Sequence, residues 1–210
     1  MNTGTDAARI AQDHRSRLGM WVFLASEIMF FGPIFFAYAV GRYEFSTAFT
    51  LAGRSTDIVS GTVNTAILLT SSLGIALGLE FAKTGARKAA CRAFEITIVL
   101  ALCFLALKGN EYINDWHEHL IPGPGFRADY GPNKQGAELF YFIYFASTLL
   151  HAVHLTIGIG LVAWGRFNYV RADHRRTIIR RLEIIGLYWH FVDIVWVFLF
   201  PALYLIGRTS

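Results

Sequence analysis

Charge is scarce in this 210-residue sequence: only 16% of residues are Asp, Glu, Lys or Arg, against about a quarter in an ordinary soluble domain. Cysteine is scarcer still. Cys91 and Cys103 form no CxxC and no metal-ligand spacing, so neither a disulfide framework nor a thiolate metal site is expected, only two free thiols. Proline occurs five times, and no internal repeat or separate soluble domain is visible. There is no GxxxxGK[ST], no GxGxxG after a strand, and no Ser/His/Asp arrangement, which removes the common nucleotide-binding and hydrolase readings. What the chain has instead is apolar surface: 54% hydrophobic residues, eighteen Phe, nine Tyr and five Trp, with a mean hydropathy of +0.42. Aromatics in this quantity suit bilayer interfaces.

A spanning helix needs about 20 apolar residues. Runs of that kind place five transmembrane helices near 18–40, 58–80, 90–112, 139–164 and 184–206 in a single all-α membrane domain. The third is the weakest, with Glu95 and Lys108 set towards its ends, where long side chains can snorkel. The longest stretch outside the spans is Lys108–Glu138, punctuated by Pro122, Gly123, Pro124, Gly125, Gly131 and Pro132 and therefore turn-rich. It holds His117, Glu118 and His119, which read as a solvated loop rather than a metal site, because no third ligand is placed with the two histidines. The first apolar run is too long for a signal-peptide core and no small-residue cleavage site follows it, so it is expected to be retained.

The net charge of +4 does not indicate nucleic acid, because the basic residues sit in short segments between apolar runs. Thirteen of the nineteen Lys and Arg fall on one side of the five spans. The positive-inside rule puts that side, with the N-terminus, in the cytoplasm and the C-terminus opposite. The expected location is a bacterial inner membrane, multi-pass. Basic residues next to a bilayer also bind anionic head groups; Arg15, Arg17, Arg87, Lys88 and Arg92 are the candidates for phospholipid.

Ionisable groups at mid-membrane depth are costly and carry functional information. Glu27 lies nine residues into the first span, about 14 Å at 1.5 Å per residue. Asp193 is at similar depth in the fifth. His151 and His154 are at matching depth in the fourth, and share a face at i, i+3, as do His190 and Asp193. These groups are expected to form a polar layer. Three readings remain open: helix-to-helix hydrogen bonding, proton handling, or a haem or metal site. The last is disfavoured because no His pairs recur at two depths on facing helices. Lys108 and Glu111, at i, i+3, read as an ion pair at the membrane interface. Gly74 and Gly78 form a GxxxG suited to close helix approach, and Gly32-Pro33 should kink the first span.

Five segments carry a family resemblance. LGMWVFLASEIMFFGPIFFAY at Leu18–Tyr38, NTAILLTSS at Asn64–Ser72, LKGNEY at Leu107–Tyr112, HAVHLTIG at His151–Gly158 and YWHFVDIVWVFLFPALYL at Tyr188–Leu205 resemble, in order, the helices of the five-helix form of subunit III of haem-copper terminal oxidases. The resemblance implies a subunit that binds no haem or copper itself. Such a subunit packs on the catalytic subunit I, which reduces oxygen to water and pumps protons, with subunit II in the same complex. The family also holds phospholipid in a cleft, sustains proton uptake and protects the catalytic subunit from turnover inactivation. Its carbodiimide-reactive glutamate falls on Glu27, its fourth-helix histidines on His151 and His154, and its closing His–Asp pair on His190 and Asp193.

The sequence departs from the family in two respects. Leu150 and Val153 stand where glycines often precede the two histidines. The first two helices of the seven-helix form are missing, so the lipid cleft must be completed by another subunit or be absent. Accessory proteins of nitric oxide reductases belong to the same family and remain an alternative. A small proton-coupled transporter using Glu27 and Asp193 is another, weakened by the lack of repeats and of a broken-helix pair.

Overall fold

The computed structural model describes residues 3–126, 131–171 and 175–205, with side chains from residue 18 onward and excluding those of 175–176. Every regular element among these residues is helical. They are α1 (Thr3–Glu44), α2 (Ser46–Ser55), α3 (Ile58–Thr84), α4 (Arg87–His117), a 3₁₀ turn (Gly131–Asn133), α5 (Lys134–Arg171), α6 (Arg175–Phe200) and a π turn (Pro201–Leu205). Five helices are long and apolar enough to cross a membrane: Leu18–Glu44, Ile58–Lys83, Arg87–His117, Gly131–Arg171 and Thr177–Leu205. Helices satisfy all their backbone hydrogen bonds internally, which is why the apolar runs take this form in lipid. The chain is a polytopic membrane helix bundle.

The helices outrun the apolar segments that define them. α4 continues as helix through Lys108 to His117, and α5 begins at Lys134. Much of the segment expected to be loop is therefore helical, because backbone hydrogen bonding propagates past the end of the hydrophobic run. α1 runs unbroken through Pro33. The short α2 was not anticipated. It buries Ala48, Phe49 and Ala52, with the Phe49 ring edge-on to Phe140 of α5 at 5.4 Å and to Tyr38 of α1 at 5.6 Å.

Local chemistry sets the turns. Asp57 caps α3 by accepting from Val59 N at 2.9 Å and Ser60 N at 3.3 Å. Gly85, at φ +83°, ends it in the left-handed conformation that glycine adopts without strain, and α4 starts two residues later.

Small residues bring the helices together. A Cβ on Gly74 would lie 2.5 Å from Thr97 Oγ1, and one on Gly78 would lie 2.6 Å from the Phe94 ring. The GxxxG stripe of α3 is thus filled by α4. On the other side of the bundle, Gly158 and Gly165 of α5 admit Trp189 and Leu182 of α6. The core is α6-centred: half of that helix's apolar window is buried, against 11% for α1. α1 lies at the periphery, with Trp21, Met29 and Phe36 exposed.

We call the end holding the α3–α4 turn and the C-terminus of α5 the basic end, and the end holding α2, residues 118–126 and the 3₁₀ turn the loop end. At the basic end, ion pairs join Lys83 to Glu183 at 3.0 Å and Arg166 to Glu95, and Arg87 donates to the Val170 carbonyl.

Candidate functional site

The groups expected in one polar layer occupy three separate places. Glu27 of α1 meets His154 of α5, with Oε2 and Nε2 2.9 Å apart. The other ring nitrogen of His154 lies 2.8 Å from the Leu150 carbonyl. A carbonyl only accepts, so Nδ1 carries a hydrogen and the Glu27–His154 contact is bridged by one further proton. Tyr188 of α6 donates to the His154 carbonyl at 3.0 Å, and the Phe31 ring lies 5.3 Å from the imidazole. Beside this pair is a cleft of about 380 Å³ between α1, α5 and α6. Glu27, His154 and Tyr188 are its polar lining; Met20, Phe23, Ile157, Leu161, Ile184 and Ile185 form its apolar walls.

His190 and Asp193 of α6 face α3. His190 Nδ1 is hydrogen-bonded to Ser72 Oγ at 2.7 Å. Asp193 is 4% exposed, and neither carboxyl oxygen reaches a hydrogen-bond partner among the described residues; Ser72 is its polar neighbour. His151 does not join Glu27. It is fully buried, set between the rings of Phe104 (5.6 Å) and Trp196 (5.0 Å), with neither nitrogen partnered among the described residues. Depth along a helix aligned these residues; rotation about the helix axis separated them.

Lys108 and Glu111 form their i, i+3 pair inside the bundle. Their side chains are 3% and 8% exposed, with Nζ and Oε1 3.1 Å apart. Lys108 also donates to Tyr144 at 2.9 Å and to Tyr204. Both tyrosines donate in turn to Glu111 Oε1, at 2.5 and 2.8 Å. The helix continues past the apolar run, and α5 and the π turn cover the pair there. A buried charge pair needs hydrogen bonds to its charged atoms, and the two tyrosines, their hydroxyls 3.4 Å apart, supply them at Lys108 Nζ and Glu111 Oε1.

Among the lipid head-group candidates, Arg87 is engaged by Val170 while Lys88 and Arg92 are exposed. The side chains of Arg15 and Arg17 lie outside those described. Cys91 and Cys103 are free thiols. No group of three or more His, Cys, Asp or Glu among the described residues is placed to hold a metal ion. Residues that no sequence argument singled out are Tyr144, Tyr204, Asn64 and Trp196. A signal for some of them was present: Asn64, Ser71 and Gly78 recur every seven residues on α3, as do Tyr144 and His151 on α5 and Trp189 and Trp196 on α6. That spacing marks an inward face.

The model of the family "Cytochrome c oxidase subunit III" matches residues 4–119 and 132–208. The chain belongs to this family. Among similar proteins, the cytochrome c oxidase subunit 3 of Thermostichus vulcanus is 31% identical over 211 residues, covering 95% of this chain and 94% of its own. The subunit of the same name from Alkalihalophilus pseudofirmus is 30% identical, covering 90% of this chain and 86% of its own. A protein of Aeropyrum pernix named "Heme-copper oxidase subunit I+III" is 30% identical over 196 residues, which cover 90% of this chain but 22% of that much longer one. Relatives in this family are named as oxidase subunits, and the chain is a multi-pass protein of the bacterial inner membrane. All the residues expected to carry the family's polar positions lie within the matched segments.

Proposed function

We propose that this chain is the non-redox subunit III of a terminal oxidase that packs on catalytic subunit I, holds phospholipid against it, and supports proton uptake during oxygen reduction. The observation that carries the reading is the Aeropyrum relative. Its name joins subunits I and III, and the part resembling this chain is 22% of its length. Two elements present in one polypeptide work side by side, so the separate chain is assigned the same neighbour, with subunit II in the complex and haem and copper in the partners.

The bundle supplies what such a subunit needs. α1 presents Trp21, Met29 and Phe36 outward, an apolar face for a polytopic partner. The α1–α5–α6 cleft has apolar walls of acyl-chain chemistry. The exposed Lys88 and Arg92 sit at the basic end, as a phosphate requires. That end faces the cytoplasm on the positive-inside rule, which orients the N-terminus there and the C-terminus opposite. Glu27 and His154, bridged by one proton at the cleft, are the groups through which this chain acts on proton uptake.

The test is gentle purification of the tagged chain, with an optical spectrum and identification of what accompanies it. A haem-copper catalytic subunit in fixed ratio is expected, with cross-links formed from cysteines placed at Met29 or Phe36 of α1 and on the exposed face of α3. Cross-links confined to α5 and α6 would refute this mode of packing. Recovery of a nitric oxide reductase instead would assign the chain to that partner.

A further inference from the structure

The buried Lys108–Glu111 pair takes no part in the function proposed above, and it adjoins polar groups that have no hydrogen-bond partner among the described residues. Asn64 of α3 and His151 of α5 are both fully buried. Among the described residues, neither the Asn64 amide oxygen and nitrogen nor either His151 nitrogen has a hydrogen-bond partner. Each such group costs free energy in an apolar interior and more so in a bilayer, where solvent cannot compensate from outside.

Trp196 locates these groups in one region. Its ring lies 5.0 Å from that of His151 and 5.8 Å from Lys108 Nζ, and its indole N–H donates to Thr65, the residue after Asn64, at 3.0 Å. One turn from Asn64, a Cβ on Gly61 would lie 2.8 Å from the Tyr204 ring, whose hydroxyl belongs to the Lys108 cluster.

The chemistry of these groups defines what would satisfy them. Asn64 offers donors and an acceptor, and a neutral imidazole offers one of each. A metal ion would find a single imidazole beside an ammonium, and an anion would meet Glu111. A small neutral molecule that both donates and accepts fits, which is water.

A second line of orphans points outward. On α4, Glu111 and Asp115 stand at i, i+4 on one face. Glu111 Oε2 and Asp115 Oδ2 each lack a donor among the described residues, while Asp115 is half-buried and Glu118 beyond it is exposed at the loop end. We propose that internal water joins Asn64, His151 and the Lys108–Glu111 pair, and that Asp115 exchanges protons between this pair and the aqueous phase at the loop end. A proton arriving on Asp115 passes through water to Glu111 Oε2. Asp115, left as carboxylate, is reprotonated from bulk only after the proton on Glu111 has returned by the same path, so the step is a reversible exchange. Tyr112, engaged by Thr148 at 2.6 Å, and Glu118 are further titratable groups close to Asp115, and Tyr144 also faces it.

The test is infrared difference spectroscopy on the intact complex that contains this chain. The carboxyl C=O band of Glu111, assigned by its loss in Glu111→Gln, is expected to respond to bulk pH and to shift on transfer to D2O. In Asp115→Asn the D2O shift should slow by about a hundredfold, the usual scale for loss of a positioned proton-transfer group. A Glu111 band indifferent to bulk pH, or a D2O shift unchanged in Asp115→Asn, overturns the relay. Cryo-microscopy of the wild-type complex tests the water without any variant. Solvent density within hydrogen-bonding distance of Asn64 and His151 is expected. Dry packing there, with both side chains turned onto protein partners, overturns the proposal.

Discussion

Glu27 of α1 and His154 of α5 are held 2.9 Å apart by a contact that requires one proton, because the other nitrogen of His154 is committed to the Leu150 carbonyl. The pair is neutral overall whether the proton sits on carboxyl or imidazole, so it tolerates the membrane interior in either arrangement. It is also the main polar tie of the peripheral α1 to the rest of the bundle at this depth.

Removing the carboxyl should therefore loosen α1. Glu27→Ala leaves an imidazole nitrogen unpaired, at a cost of about 1–3 kcal/mol. The complex is expected to turn over still, since this chain is assigned no redox centre, but to lose the subunit sooner in detergent. Glu27→Gln separates tie from titration. Gln keeps a hydrogen bond and cannot titrate, so slowed single-turnover proton uptake with normal retention would assign the pair a proton role. Normal uptake with normal retention would leave it a tie.

At the Lys108 cluster the expected pattern is non-additive. Lys108→Met alone leaves Glu111 as a buried charge, and Glu111→Gln alone leaves Lys108 so; each should destabilise the bundle by about 3–5 kcal/mol. The double variant removes both charges while Gln still accepts from Tyr144 and Tyr204, and should recover most of that loss. Thermal unfolding of the three variants in one detergent checks this. Additive losses would show that the pair is not coupled.

Packing of α3 on α4 is sensitive to single methyl groups. Gly74→Val would push atoms into the space Thr97 Oγ1 already fills at 2.5 Å, and overpacking of this kind costs about 1–3 kcal/mol. Gly160→Val is the control, because nothing lies within 4 Å of a Cβ at that site. Lower detergent stability of the first variant alone is the expected outcome, measured by fluorescence-detected size exclusion.

The cleft beside Glu27 should hold lipid. Native mass spectrometry of the intact complex is expected to show retained phospholipid. Replacing Ile157 with Trp, which fills the cleft from its α5 wall, should reduce the retained amount. A complex that carries no lipid would remove this part of the proposed function.

Much of this was legible in the sequence because hydropathy is a local property. A run of about 20 apolar residues can do little but form a spanning helix, since lipid offers its backbone no other hydrogen-bond partner. The five spans, the close approach at Gly74 and Gly78, and the family motifs follow from residues near one another in the chain. What the residues could not reveal is azimuth. Counting along each helix set Glu27, His151, His154 and Asp193 at one depth. The rotation of α5 then sent His154 to α1 and His151 inward to Phe104 and Trp196, and α6 turned Asp193 towards Ser72. Lys108 and Glu111 lie past the end of an apolar run, so hydropathy assigns them to an interface. Only the arrival of Tyr144 and Tyr204, 36 and 96 residues away, buries them. Number and character of the helices were determined residue by residue. The partner of each polar group was decided by how the helices rotate and pack, a long-range choice that small residues such as Gly61, Gly74 and Gly158 permit and large rings such as Trp196 enforce.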